Sequence, residues 1–239
     1  MIKICAISDL HGNLDVNINQ SDVLCICGDI VPLHKQSSSK DSLKWLETDF
    51  LPWCEKQPCN EILLIAGNHD FVFERRCDEA RELFKGTKVR YLQDEAYFYI
   101  KEDGSSINFY GTPWCHQFGD WAFMGYSDEK LSEIYLKMPD DVDVLLTHDC
   151  PYGACDVLLQ DVWWANGDHI GGKGLATAIE IKEPKLNLTG HLHSTNKLGE
   201  KLGNTFVCNV SVLNEHYKLA YEPHYFIMND DRTFEMVKN

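Results

Sequence analysis

The chain reads as a layered α/β domain. Three observations predict it. Short, near-continuous apolar runs mark strands buried on both faces; strands alternate with helix patterns in the first half; and strands dominate toward the end. In order, the strand runs are "IKICAIS" (2–8), "DVLCIC" (22–27), "EILLIA" (61–66), "AYFYI" (96–100) and "INFYG" (107–111). They continue with "DVLLT" (143–147), "KLNLT" (185–189), "TFVCNV" (205–210), "HYFIM" (224–228) and "TFEMV" (233–237). A helix is expected over 37–56, where serine caps precede Leu43, Leu46 and Phe50 at helical spacing. A second covers 127–138, with Leu131, Ile134, Tyr135 and Met138 on one face, and a shorter third covers 174–182. No repeat, low-complexity tail or Pro/Gly/Ser-rich linker interrupts the 239 residues, so one domain over 1–239 is expected.

Charged residues at 25% and hydrophobic ones at 44% describe an ordinary globular chain, not a disordered one. The net charge of −15 argues against a groove for duplex nucleic acid. It leaves room for a small phosphorylated substrate, because bound cations invert the field locally. None of the ten cysteines forms a CxxC pair. Cys5, Cys25, Cys27 and Cys208 lie in apolar runs and read as small buried hydrophobes in a reducing compartment. The opening "MIKICAISDL" lacks the pattern of a signal peptide, and no apolar stretch approaches the ~18 residues of a membrane span. The expectation is a cytoplasmic protein with no membrane partner; oligomeric state is left open.

The strongest signal lies at the carboxyl ends of the strands. Five strand ends carry Asp9 and His11, then Gly28 and Asp29, then Asn68, His69 and Asp70, then His148 and Asp149, then His191 and His193. Each piece alone is weak, since "GD" is a common turn and a lone strand-end histidine is usually a turn or core residue. In an open α/β sheet, however, the carboxyl ends of the strands gather at one edge, where ligands bind. Carboxylates, imidazoles and one carboxamide, with no thiolate, suit Mn, Fe, Zn or Mg. Asp9, His11, Asp29, Asn68, His148, His191 and His193 are too many for one ion and enough for two that share a carboxylate.

Asp-x-His, Gly-Asp, Gly-Asn-His-Asp, a strand-end His and Gly-His-x-His, in that order, resemble the calcineurin-like metallophosphoesterases. The intervening "YLQDEAYFY", "GTPWCHQFGDWAF", "LLTHDCPYGACD" and "NTFVCNVS" are similar to the MPPED-like branch of small metallophosphoesterase-domain proteins. Protein Ser/Thr phosphatases carry Gly-Asp-x-Val-Asp-Arg-Gly at the second motif; here it reads "GDIVPLH". The resemblance implies a four-layer α/β/β/α sandwich with two mixed sheets. It implies a first metal on Asp9, His11, Asp29 and His193, and a second on Asp29, Asn68, His148 and His191. Asp29 would bridge, and His69 would stand beside the pair. Two divalent ions are expected, Mn²⁺ foremost, with Fe, Zn, Mg or Ni as alternatives. The implied activity is phosphodiester hydrolysis on small substrates such as cyclic nucleotides, by a bridging hydroxide. Competing readings are a phosphomonoesterase, a single-strand nuclease, or a retired scaffold on the same fold.

On this reading His69 serves the leaving oxygen as a proton donor, and Asp70 either orients His69 or caps the next turn. His34 and His116, on loops near the site, are candidate substrate contacts. Trp114, Trp163 and Trp164 are candidates for stacking but read more simply as packing residues. "GGKG" (171–174) is too short for a phosphate fingerprint and reads as a helix start. His169, His216 and His224 are left without a role.

Overall fold

Two six-stranded mixed sheets lie face to face in the computed structural model, which describes residues 1–159 and 167–237. The chain runs β1 (Ile2–Ile7), β2 (Val23–Cys27), α1 (Ser39–Trp45), α2 (Leu51–Lys56), β3 (Glu61–Ile65), α3 (Phe71–Arg75), α4 (Cys77–Phe84) and β4 (Val89–Tyr91). It goes on through β5 (Glu95–Ile100), β6 (Ser106–Thr112), β7 (Cys115–His116), β8 (Met124–Gly125), α5 (Asp128–Tyr135) and β9 (Val144–Thr147). Last come α6 (Lys173–Lys182), β10 (Leu186–Thr189), β11 (Glu200–Leu202), β12 (Thr205–Asn209), β13 (His224–Met228) and β14 (Phe234–Val237). The first sheet has the order β14-β13-β1-β2-β3-β4, and the second β11-β12-β10-β9-β6-β5. β1 to β4 are parallel, as are β6, β9, β10 and β12; β13 pairs antiparallel with both β1 and β14, β11 with β12, and β5 with β6.

The core explains the layers. Ile4, Cys25, Leu63, Phe109, Leu146 and Leu188 alternate inward from both sheets and form the apolar interior between them. The outer face of the first sheet is covered by Trp45, Phe50, Phe73 and Phe84 of the helical segments. The outer face of the second is covered by Leu131, Tyr135, Leu175 and Ile179 of α5 and α6. The result is the expected helix–sheet–sheet–helix sandwich. β2 is buried throughout, as its unbroken apolar run requires, whereas β5 alternates as an edge strand does. Cys5, Cys25, Cys27 and Cys208 are all buried free thiols.

All ten strand runs read from the sequence form strands, each end within a residue or so of expectation. The helix expected over 37–56 is not continuous: a π turn, Leu46–Phe50, separates α1 from α2. Pro52, in the first turn of α2, has no N–H to give to the preceding turn, and the wider turn accommodates that loss. α3, α4 and the three-residue strands β4 and β11 were not expected. α4 sets Cys77, Ala80, Leu83 and Phe84 against the core at helical spacing, but its eight residues are shorter than the window in which such a period stands out.

Candidate metal centre

Both sheets end at the same place. Ser8, just past β1, bridges to Ser211, just past β12, so the carboxyl ends of the two parallel sets meet at one edge. The loops that leave those strands turn sharply. Asp9, His11, Asp29 and His191 all have left-handed backbone, with φ of 59°, 43°, 54° and 66°. Such conformations cost about 1–3 kcal/mol each and persist only where the surroundings impose them. Gly28 shows why the approach is so close: a Cβ there would sit 2.6 Å from His148 Nδ1.

The side chains converge accordingly. Asp29 Oδ2 lies 3.5 Å from His11 Nε2, 3.3 Å from His148 Nε2 and 4.0 Å from His69 Nε2. Asp9 Oδ1 lies 3.4 Å from His193 Nε2. Asn68 Oδ1 stands 3.0 Å from His148 Nε2. Asp9, His11 and His193 form one cluster able to hold a cation; Asp9, Asp29 and His148 form another. Asp9 is common to both clusters, and Asp29 touches histidines of both. His191 stands on the His148 side, its ring centroid 5.2 Å from that of His148. His193 stands on the His11 side, at 5.5 Å, and Leu192 between them is buried against Cys150 and Leu158.

The hydrogen bonds orient the lone pairs. His148 Nδ1 donates to Cys27 O at 2.7 Å and His193 Nδ1 donates to Asn214 O at 2.9 Å, which leaves each Nε2 facing the carboxylates. The His191 N–H donates to both oxygens of Asp9, and the His69 N–H to Asp29 Oδ1. Burial opposes ionisation of Asp9, but the hydrogen bond and charge of His193 and the charge of His148 hold its carboxyl well below the usual range. Burial opposes a charge on His148 as well, yet Asp29 and Asp9 push it up to about 10. Burial pushes His11 and His191 down to about 4, which favours the neutral form that binds metal, whereas His148, charged in the metal-free protein, would release its proton when an ion binds. Both ring nitrogens of His11 are buried without a hydrogen-bond partner. An orphaned imidazole beside two carboxylates fits a divalent cation, and the mixed O/N donor set fits the hard to borderline metals.

Other expected site residues fall differently. Asp70 neither orients His69 nor caps α3. Its buried carboxylate accepts from the backbone N–H of Gly67, Ile30 and Val31, tying the second and third motif loops together. The partner of His69 is Gln36, whose Oε1 is 2.5 Å from Nδ1. His34, two residues earlier on that loop, is exposed and does not line the cavity. His116 does line it, with Nδ1 2.9 Å from Asp149. Trp114 donates to Asp94 and packs against Phe123. Trp163 and Trp164 lie outside the described residues. His169 bonds Asp156, His216 is exposed, and His224 donates to Lys197 O. "GGKG" opens α6, as expected.

The centre floors a cavity of about 590 Å³ whose walls include Phe118, Trp121, Leu158, Ile170, Glu215 and Tyr217. Trp121 lies 4.4 Å from His69, Phe118 5.0 Å from His191 and Tyr217 5.0 Å from His11, ring to ring. Phe118 and Trp121 lie in the "GTPWCHQFGDWAF" stretch that carries the family resemblance, but nothing in it singles either out; Gln36, Leu158, Ile170, Glu215 and Tyr217 come from loops with neither motif nor period.

The geometry defines a candidate centre for divalent cations on a two-sheet sandwich. The family model for calcineurin-like phosphoesterases matches residues 2–195, and the chain belongs to that family. Its chemistry is metal-dependent hydrolysis of phosphoric esters. Among curated relatives, a UPF0046 protein of Caenorhabditis elegans is 27% identical over 93% of this chain and 73% of its own length. Human metallophosphoesterase domain-containing protein 1 is 25% identical over 92% of this chain and 69% of its own length. Two solved structures share the fold. TT1561 of Thermus thermophilus has a TM-score of 0.59 at 15% identity, covering 99% of this chain and 98% of that one. The phosphopantetheinyl hydrolase of Mycobacterium tuberculosis has a TM-score of 0.57 at 12% identity, covering 90% of each. No helix among the described residues is long and apolar enough to cross a membrane.

Proposed function

We propose that the chain is a phosphodiesterase acting on small diesters, cyclic nucleotides among them, with two divalent cations. The observation that carries the reading is the cavity wall. Aromatic and aliphatic side chains surround the centre, and among the described residues no Lys or Arg lines it. A monoester dianion would meet Asp29 and Glu215 there with no protein cation to balance its second charge. A diester carries one charge and two organic groups, which Phe118, Trp121 and Tyr217 can pack against.

Asp9, His11, Asp29 and His193 would hold one ion, and Asp29, Asn68, His148 and His191 the other. When bound, such a pair supplies Lewis acidity and a nucleophile at neutral pH. The chain's own residues do the rest. The carbonyls of Cys27 and Asn214 fix the imidazoles of His148 and His193. Gln36 Oε1 accepts from Nδ1–H of His69, so that Nε2 faces the cavity; as the imidazolium, protonated on both nitrogens, His69 gives the Nε2 proton to the leaving oxygen and keeps the one on Nδ1. The cavity walls hold the ester's organic groups and keep water from them.

The test compares Mn²⁺-loaded protein on bis-p-nitrophenyl phosphate and p-nitrophenyl phosphate, and then on 2′,3′- and 3′,5′-cyclic nucleotides. The expected result is the higher kcat/KM for the diester. Preference for the monoester would overturn the diester reading, and failure to take up metal would overturn the enzyme reading.

A further inference from the structure

The turn Gly190–His193 delivers both histidines of the last motif, yet its own backbone is in an unfavourable conformation, with His191 at φ 66°. Something must hold it. Asn209, buried at the end of β12, does so: its Nδ2 donates to Gly190 O at 2.8 Å and to Leu192 O at 2.9 Å. Those bonds draw two carbonyls away from the centre and leave the intervening His191 N–H pointing at Asp9, at 3.0 and 3.1 Å. The clamp works only if the amide of Asn209 faces one way. Turned over, its oxygen would oppose two carbonyl oxygens.

Two donors set that direction on the other side of the amide. Ser211 N–H gives to Asn209 Oδ1 at 3.1 Å, and the ammonium of Lys197 gives to the same oxygen. Lys197 makes no ion pair among the described residues; its Nζ lies over the ring of Tyr221, 4.8 Å from the centroid. Apart from that ring contact, the ammonium has no carboxylate partner and is directed at a neutral amide, so ion pairing does not account for it. Burial lowers its pKa to about 8, and Asp9 is the foremost of the charges that oppose this.

We propose that Lys197 is a positioning residue of the metal centre, acting through Asn209 on the turn that carries His191 and His193. The proposal rests on the reading of this centre as a metal site. Residues that orient ligands commonly control metal affinity or activity by about 10–100-fold.

Lys197→Met keeps the apolar stem and removes the donor. Three measurements on the full chain decide the matter: Mn²⁺ affinity and stoichiometry by calorimetry, melting of the metal-free protein, and amide exchange of the metal-free protein. The variant should bind Mn²⁺ about 10–100-fold more weakly. Its metal-free form should melt at or above the wild-type temperature, since a buried charge has gone. The His191 amide should exchange faster while the amides of β10 and β12 stay protected. Wild-type affinity in the variant would overturn the proposal. So would a loss of affinity accompanied by a matching fall in melting temperature and uniformly faster exchange, which marks a merely structural lysine. Wild-type protein that bound no metal would instead sink the metal-centre reading.

Discussion

The two sheets contribute to the centre in different chemical currencies. Loops after β1, β2 and β3 of the first sheet bring the oxygen donors Asp9, Asp29 and Asn68, with one imidazole among the candidate ligands, His11, and a second, His69, beside them. Loops after β9 and β10 of the second bring only imidazoles: His148, His191 and His193. Their supports also differ. The carboxylates are held by backbone N–H groups, of His191 for Asp9 and of His69 for Asp29, whereas the imidazoles of His148 and His193 are held by backbone carbonyls. Two of these supports cross between sheets. Cys27 of the first sheet orients His148 of the second, and His191 of the second orients Asp9 of the first. The centre therefore exists only when the sheets are packed, which couples it to the apolar interior formed by residues such as Phe109 and Leu146.

The hardest way to break the comparison is to remove the residue that faces both halves. Asp29→Ala strips the carboxylate from between His11 and His148, and breaking a buried pair of this kind costs about 3–5 kcal/mol. Elemental analysis after Mn²⁺ loading should find neither ion retained, and turnover should fall to background. Retention of one ion would show that Asp9, the carboxylate common to both clusters, can bridge alone. His69→Asn probes the opposite case, a residue of the first sheet placed beside the pair. It should keep both ions and lower kcat by roughly 10²–10⁴. Unchanged turnover would remove His69 from the proton-donor role.

The same division separates the features that sequence revealed from those it hid. Strands buried on both faces need unbroken apolar runs, so their ends stood out, and with them every Asp, Asn and His at those ends. Short elements were silent: α4 spaces its four apolar residues over only eight positions, and β4 and β11 are three residues long. Contacts across the fold were silent for another reason. Asp70 is next to His69 in the chain, yet its carboxylate turns away to three backbone amides, while Gln36, 33 residues away, takes the imidazole. Adjacency in sequence says little about where a side chain points in a tight loop. His34 shows the converse, a suggestive residue on the right loop that the backbone turns outward to solvent.

The smallest expected effect lies at the rim, where a residue of β7 pairs with the strand end of β9. His116 gives its backbone N–H and its Nδ1–H to Asp149, which is fully buried. Burial disfavours charge on His116, but the Asp149 carboxylate outweighs it and raises the imidazole above its ordinary range. Burial disfavours charge on Asp149 too, and His116 outweighs that, lowering the carboxyl. The signs fix the window. The histidine's contribution is complete below its unfolded value near ~6.5 and disappears as pH rises through its raised folded value. The carboxylate's contribution is complete above its unfolded value near ~3.9 and disappears as pH falls through its lowered one. His116→Gln keeps a hydrogen-bonding side chain and abolishes the titration. Urea unfolding of the metal-free proteins from pH 5 to 9 should therefore show the wild-type advantage over His116→Gln shrinking as pH rises. Titration of His148 and His193 is common to both proteins and cancels in that difference. A difference that stayed level across the range would mean that His116 is neutral in the fold, and that Asp149 rests on the backbone N–H of His116 alone.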